Sequence, residues 1–194
     1  MTQTPPLVSQ LDQVMLVMQR LIDHVTREQW DKPTPCTEWN VRALVNHIVF
    51  GNLLFAQIAR GERQGTPPMP QERAADHLGA DAAESYRRSA AQLREAFSQP
   101  GFLDRIFPSP IGEQPGAGLL HMRVTEHLLH GWDLARATGQ QPDFPGDLAE
   151  GTLEAMRQRL EGRPRSQTPF GEEQPAPADA PAIDRLAAYT GRRL

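Results

Sequence analysis

The chain has 194 residues, of which 39% are hydrophobic and 23% charged, enough to bury one sizeable core without asking for a second domain. A net charge of −4 and a pI near 5.9, with no run of Lys or Arg beside an aromatic platform, give no electrostatic footprint for nucleic acid. The opening Met-Thr-Gln-Thr-Pro-Pro has no basic segment before an apolar core, no uninterrupted apolar stretch approaches about 18 residues, and the single cysteine, Cys36, cannot form an internal disulfide, so the expectation is a soluble cytoplasmic protein with neither membrane nor nucleic acid as partner.

From residue 7 to about 27, Leu7, Leu11, Val14, Met18, Leu21, Ile22 and Val25 recur at three- and four-residue steps, which predicts an amphipathic helix. A Pro-punctuated turn follows at 31–37. Thr37 is the expected N-cap of a second helix over 38–60, with Glu38 in its first turn and Gly61 at its end. Residues 61–71, with Gly65, Pro67, Pro68 and Pro70, read as a loop. A third helix is expected over 80–98, and the Pro- and Gly-rich stretch 100–118 reads as an ordered connector. The fourth helix, 119–138, should stop at Gly139. No period-two segment of strand length is present, so the class is all-α. Further helices are expected at 146–160 and 182–189. The five prolines between 162 and 181 suggest a linker, but Phe170 and the last apolar helix argue that this tail docks back onto the bundle.

The fourth helix carries Thr125-Glu126-His127-Leu128-Leu129-His130-Gly131-Trp132-Asp133. Glu126 and His130 are four residues apart, hence about 40° apart around a helix and one turn apart along it. An imidazole and a carboxylate so placed can close on one divalent cation. The third donor is His47, which shares a helical line with Asn40, Leu44, Gly51, Leu54 and Ile58 and should therefore face other helices. Taken alone, His47 reads first as a core or near-core histidine bonded to a backbone carbonyl or to a carboxylate such as Glu126. His24, His77 and His121 read as polar residues on wet faces, and His127 points about 100° from Glu126 and is left out. Asp133, three residues beyond His130, is the candidate catalytic side chain: it can orient a ligand, contact substrate, or accept a hydrogen bond from a metal-bound histidine. Trp39 and Trp132 either wall a cleft or belong to the core. Cys36, close to a helix start, would have its thiol pKa lowered by the dipole.

Thr34-Pro35-Cys36-Thr37-Glu38-Trp39-Asn40-Val41-Arg42, then Asn46-His47, Glu126 through Ala135, Asp184-Arg185-Leu186-Ala187-Ala188 and Gly191-Arg192 together resemble an actinobacterial-type metal-binding family of the DinB-like superfamily, similar to the N-terminal domain of mycothiol-dependent maleylpyruvate isomerase. The resemblance covers nearly the whole chain. It implies a four-helix bundle over about 7–140 with a C-terminal extension of short helices over 141–194, as one metal-binding domain. It places the metal ligands on His47, Glu126 and His130, and implies low-molecular-weight thiols such as mycothiol or bacillithiol as cosubstrates.

Two neutral imidazoles and one carboxylate leave a dication with net charge +1 and an open position, where a thiol would be held as thiolate. Zinc leads among the metals these donors suit, with nickel, manganese and iron open. Arg42 and Arg123, on the two ligand-bearing helices, are the candidate cationic rim for an anionic thiol cofactor. The expected function is a metal- and thiol-dependent S-transferase or isomerase acting on a small molecule. The alternatives are a non-catalytic metal-binding module (sensor, buffer or partner binding) and a metal-dependent hydrolase. A homodimer is compatible with the sequence.

Overall fold

The computed structural model describes residues 7–63, 67–109 and 112–194. The opening hexapeptide, Gly65 in the first predicted loop, and Pro110-Ile111 in the predicted connector lie outside them. Among the described residues, seven α-helices and one antiparallel strand pair follow in order: α1 Leu7–Asp23, α2 Val41–Ala59, α3 Pro70–Ala74, α4 Ala82–Phe97, β1 Ile106–Ser109, β2 Gly112–Pro115, α5 Gly116–Thr138, α6 Gly146–Leu160 and α7 Ala182–Tyr189.

Helices α1, α2, α4 and α5 form the four-helix bundle. The ring of neighbours closes, with α1 against α4 and α5 and α2 against the same two helices. Leu11, Val14, Met18, Leu21 and Ile22 of α1 are buried, as the periodicity predicts. The helix stops at Asp23 rather than near 27. Thr26 is extended, and its N–H donates to the Gln29 side chain at 2.9 Å, which starts a separate 3-10 turn. Helix α2 is long and apolar enough by length and composition to cross a membrane, but Val41, Leu44, Val45, Ile48 and Ala56 are buried in the bundle against its neighbours.

The start of α2 departs from expectation. Its N-cap is Asn40, whose side chain accepts from Ala43 N–H at 2.9 Å, and not Thr37. Thr37 is consumed in a tight turn closed by the bridge between Pro33 and Asn40 and by bonds of Thr34 N–H and Oγ1 to Trp39 O. The incoming strand-like segment also satisfies the first helical donors, Val41 N–H on Lys32 O and Arg42 N–H on Trp30 O.

The stretch read as a connector contains the antiparallel pair β1 and β2. Phe107 of β1 is buried and packs on Phe102, which stacks on Phe97 of α4 with centroids 4.3 Å apart. Strands of four residues carrying Pro108 and Pro115 show too little alternation to register as a period. Helix α7 docks on α5 and α6 on α7. The clamp is Asp184, which accepts from Trp132 Nε1 at 2.6 Å and from Arg136 at 3.1 Å. Trp132 is therefore a fully buried core residue.

Candidate metal centre

Helix α2 delivers His47, and α5 delivers Glu126 and His130 to the same point. His47 Nε2 lies 3.0 Å from Glu126 Oε2, and His130 Nε2 lies 3.4 Å from the same oxygen. Donor atoms of the three residues all fall within 4.8 Å of one another. A carboxylate oxygen held between two imidazole nitrogens is the arrangement a divalent ion of nitrogen and oxygen preference can take over from the protons now shared there. His47 differs from its sequence reading: its side chain is 33% exposed and Glu126 34%, so they open onto a cleft. The bond to Glu126 is the one the core-histidine reading allows, and it lies at the edge of a cleft.

The cleft has a volume of about 380 Å³ and is walled by the 35–39 turn, by His47, Glu126, Leu129 and His130, and by two pieces of the C-terminal extension, 169–171 and 190–192. Trp39 stacks on His47, centroids 4.4 Å apart and planes 30° from parallel, and its ring lies 5.5 Å from that of His130. Phe170, in the proline-rich tail, packs against the core and lines the cleft, as a docked tail requires.

Asp133 stands behind His130, fully buried. Its Oδ2 is 3.0 Å from His130 Nδ1, which places a proton on that nitrogen and turns Nε2 towards Glu126. The same carboxylate receives both ends of the Arg192 guanidinium, at 2.9 and 3.2 Å. The Asp133 side chain has no exposed surface and is not among the residues that wall the cleft; its contacts run to His130 and Arg192. Arg192 is the cation that sequence reasoning missed at the rim. It lies 59 residues beyond Asp133 in irregular chain, and its only sequence signal was the terminal Gly191-Arg192 pair.

The two arginines proposed for the rim lie elsewhere. Arg42 is five residues before His47, about 140° round the helix, and pairs with Asp76 at 3.0 Å. Arg123 points into the bundle, where it is buried beneath Gly51 and donates to Asn52 Oδ1 at 2.9 Å. A Cβ on Gly51 would meet the guanidinium at 2.5 Å, so glycine at that position is what admits the cation.

Charge follows geometry. Burial alone would raise the Glu126 pKa, but hydrogen bonds from His130 and His47 outweigh it and hold the carboxylate well below its ordinary range. Burial likewise acts to lower the His130 pKa, and Asp133 and Glu126 reverse it to a net rise. For His47 burial prevails over Glu126 and the shift is downward. Cys36 corrects its sequence reading. It precedes the true N-cap by four residues, and burial followed by the Asp133 charge raises its thiol pKa.

Comparison with known proteins bears on the family and the fold. Residues 11–135 match the model of the mycothiol maleylpyruvate isomerase N-terminal domain. Two uncharacterized proteins of Mycobacterium tuberculosis, from two strains, are each 36% identical over 175 residues, covering 90% of this chain and 91% of theirs. Among solved structures, the mycothiol-dependent maleylpyruvate isomerase and its histidine-to-alanine mutant superpose with TM-scores of 0.62 and 0.63 at 18% identity, over 78% of this chain and 69% of theirs. At that identity the likeness is one of fold.

Proposed function

This chain belongs to the mycothiol maleylpyruvate isomerase N-terminal domain family, and from that premise we propose that it holds one divalent metal ion through His47, Glu126 and His130 and uses it to activate a low-molecular-weight thiol in an isomerase or S-transferase reaction. The observation that carries the reading is the meeting of three donor side chains from two helices at the floor of an open cleft. Zinc fits the two imidazoles and one carboxylate best, and such an ion would supply Lewis acidity and hold a thiol as thiolate.

The remaining residues have distinct parts. Asp133 takes the Nδ1 proton of His130 and keeps Nε2 available as a ligand. Arg192 balances Asp133, so the paired charges add nothing net to the site, while its place in the cleft wall offers a donor to an anionic electrophile. Trp39, stacked on His47, and Phe170 of the extension supply apolar wall to the cleft. Because Phe170 and Arg192 come from the extension, the bundle over about 7–140 and the extension over 141–194 act as one metal-binding unit on this reading. The hydrolase alternative needs a general base beside a metal-bound water, and Asp133, turned away behind His130, is not placed to serve.

The test joins elemental analysis of the purified protein to thiol-consumption assays with mycothiol, bacillithiol and glutathione against small electrophiles, maleylpyruvate among them. Turnover that needs both metal and thiol, and that ends when a chelator strips the ion, is the expected result. A metal-loaded protein that neither binds nor consumes any of these thiols would make it a non-catalytic metal-binding module.

A further inference from the structure

Beside the metal triad lies the chain's own thiol. Cys36 lines the same cleft, and its Sγ, a ring nitrogen of His130 and a carboxylate oxygen of Asp133 lie within 4.8 Å of one another. His130 therefore belongs to two donor groups, one completed by His47 and Glu126, the other reaching towards sulfur. Asp133 in the second group is already committed to Arg192 and to His130 Nδ1, which leaves Cys36 as the donor still available.

We propose that Cys36 is an internal sulfur ligand, occupying the open position of the metal held by His47, Glu126 and His130 until an external thiol displaces it. This inference rests on the metal reading above.

Sulfur at about 2.3 Å and imidazole nitrogen at about 2.0 Å from a tetrahedral zinc stand about 3.5 Å apart. Cys36 Sγ now lies within 4.8 Å of a His130 ring nitrogen and of the Asp133 carboxylate, so coordination requires the sulfur to swing along the cleft wall from the Asp133 side of the ring towards Nε2. The Cys36 backbone is fixed: its carbonyl accepts from Thr34 Oγ1 at 3.0 Å and from Trp39 N–H at 2.9 Å. The movement left to the side chain is rotation about χ1 between staggered wells. On coordination the thiol proton leaves to solvent and the sulfur lone pair forms the bond to the metal. No oxidation state changes, and displacement by an external thiol returns the proton to Cys36. The resting protein is thereby closed to water and to weak oxygen ligands, and opens to a competing sulfur.

Because Cys36 is the one cysteine in the chain, the readout is clean. The wild-type protein is loaded with Co(II) in thiol-free buffer and its near-ultraviolet spectrum compared with that of Cys36→Ser. The expected result is a thiolate-to-cobalt charge-transfer band in the wild type, absent from Cys36→Ser, which still binds one equivalent of cobalt. Glutathione should then raise its own thiolate band in Cys36→Ser at several-fold lower concentration than is needed for release of Cys36 in the wild type, followed by mass-spectrometric labelling. Stoichiometric cobalt without the band in the wild type overturns the role of Cys36 and leaves the triad standing. No cobalt bound by either protein overturns both. Equal glutathione requirements in the two proteins overturn the competition.

Discussion

Trp39 lies flat against His47, ring centroids 4.4 Å apart and planes 30° from parallel, so the face of one proposed ligand is covered by an indole from the turn that precedes its own helix. The stack fixes the His47 ring and couples it to a fluorophore. Metal loading should therefore change tryptophan emission, and Trp39→Phe should remove the change although Trp30 and Trp132 remain. An identical response in Trp39→Phe would show that the reporting indole is another one. Phenylalanine keeps a stacking face, so metal affinity should fall by less than about tenfold.

Replacing any of His47, Glu126 or His130 by Ala should weaken metal binding by more than about 100-fold, since loss even of an outer-shell partner costs about 10- to 100-fold. Competition with a chromophoric chelator measures it. The metal-dependent gain in thermal stability should vanish in the same variants, because an ion that binds only the folded state stabilises it by mass action. Three variants that all retain wild-type affinity would refute the site.

Asp133→Asn separates positioning from ligation. An amide keeps an acceptor for His130 Nδ1–H but loses the charge that holds Arg192 at 2.9 Å. Metal affinity should fall about 10- to 100-fold, and Arg192 should become mobile, which reports as faster protease cleavage of the C-terminal segment. A variant with unchanged metal affinity and reduced turnover would instead mark Asp133 as a group that meets the substrate.

Much of this was legible in the chain. The i, i+4 pair Glu126 and His130 follows from helix angle, His47 joins it through its helical line together with the family resemblance, and the four bundle helices follow from apolar spacing with ends shifted by a few residues. What escaped depends on contacts distant in sequence. Arg192 reaches Asp133 through irregular backbone that has no period. Arg42 and Arg123 were assigned by proximity in sequence to the ligands, whereas rotation round each helix carries one to Asp76 on the surface and the other inward under Gly51. The antiparallel strand pair escaped because each strand is four residues long and carries a proline.

Metal-free protein should lose stability in mild acid through His127. This ring is buried, its Nδ1 faces Arg123 O at 2.7 Å, and its Nε2 has no partner. Burial, with the nearby Arg123 charge, lowers its pKa to about 3. In the unfolded chain His127 protonates as pH falls through about 6.5, whereas in the folded protein it stays neutral until about 3. Between those values the unfolded state binds the extra proton, so stability falls with pH, by about 2 kcal/mol from pH 6.5 to 5. Urea titrations at the two pH values should show His127→Leu losing that much less than the wild type. Equal losses would place the acid sensitivity elsewhere.

The last prediction concerns the glycine that brings Arg192 to the cleft. Gly191 has φ of +100°, where L side chains are strained, and a Cβ there would meet Gly171 Cα at 2.7 Å and its backbone N at 3.0 Å. Two backbone segments of the extension thus touch where Gly191 cannot take a side chain without displacement, while a Cβ on Gly171 would stand 3.3 Å from Gly191 Cα. Gly191→Ala must move one of them, and the strained conformation alone costs about 1–3 kcal/mol. The bundle core does not depend on this contact, so the variant should remain helical by circular dichroism with a lower melting temperature. Arg192 should withdraw from Asp133, and metal affinity should drop towards that of Asp133→Asn. Combining Gly191→Ala with Asp133→Asn should then cost little more metal affinity than either alone, because both break the same pair. Fully additive losses would show that Gly191 acts on the site by a route other than Arg192.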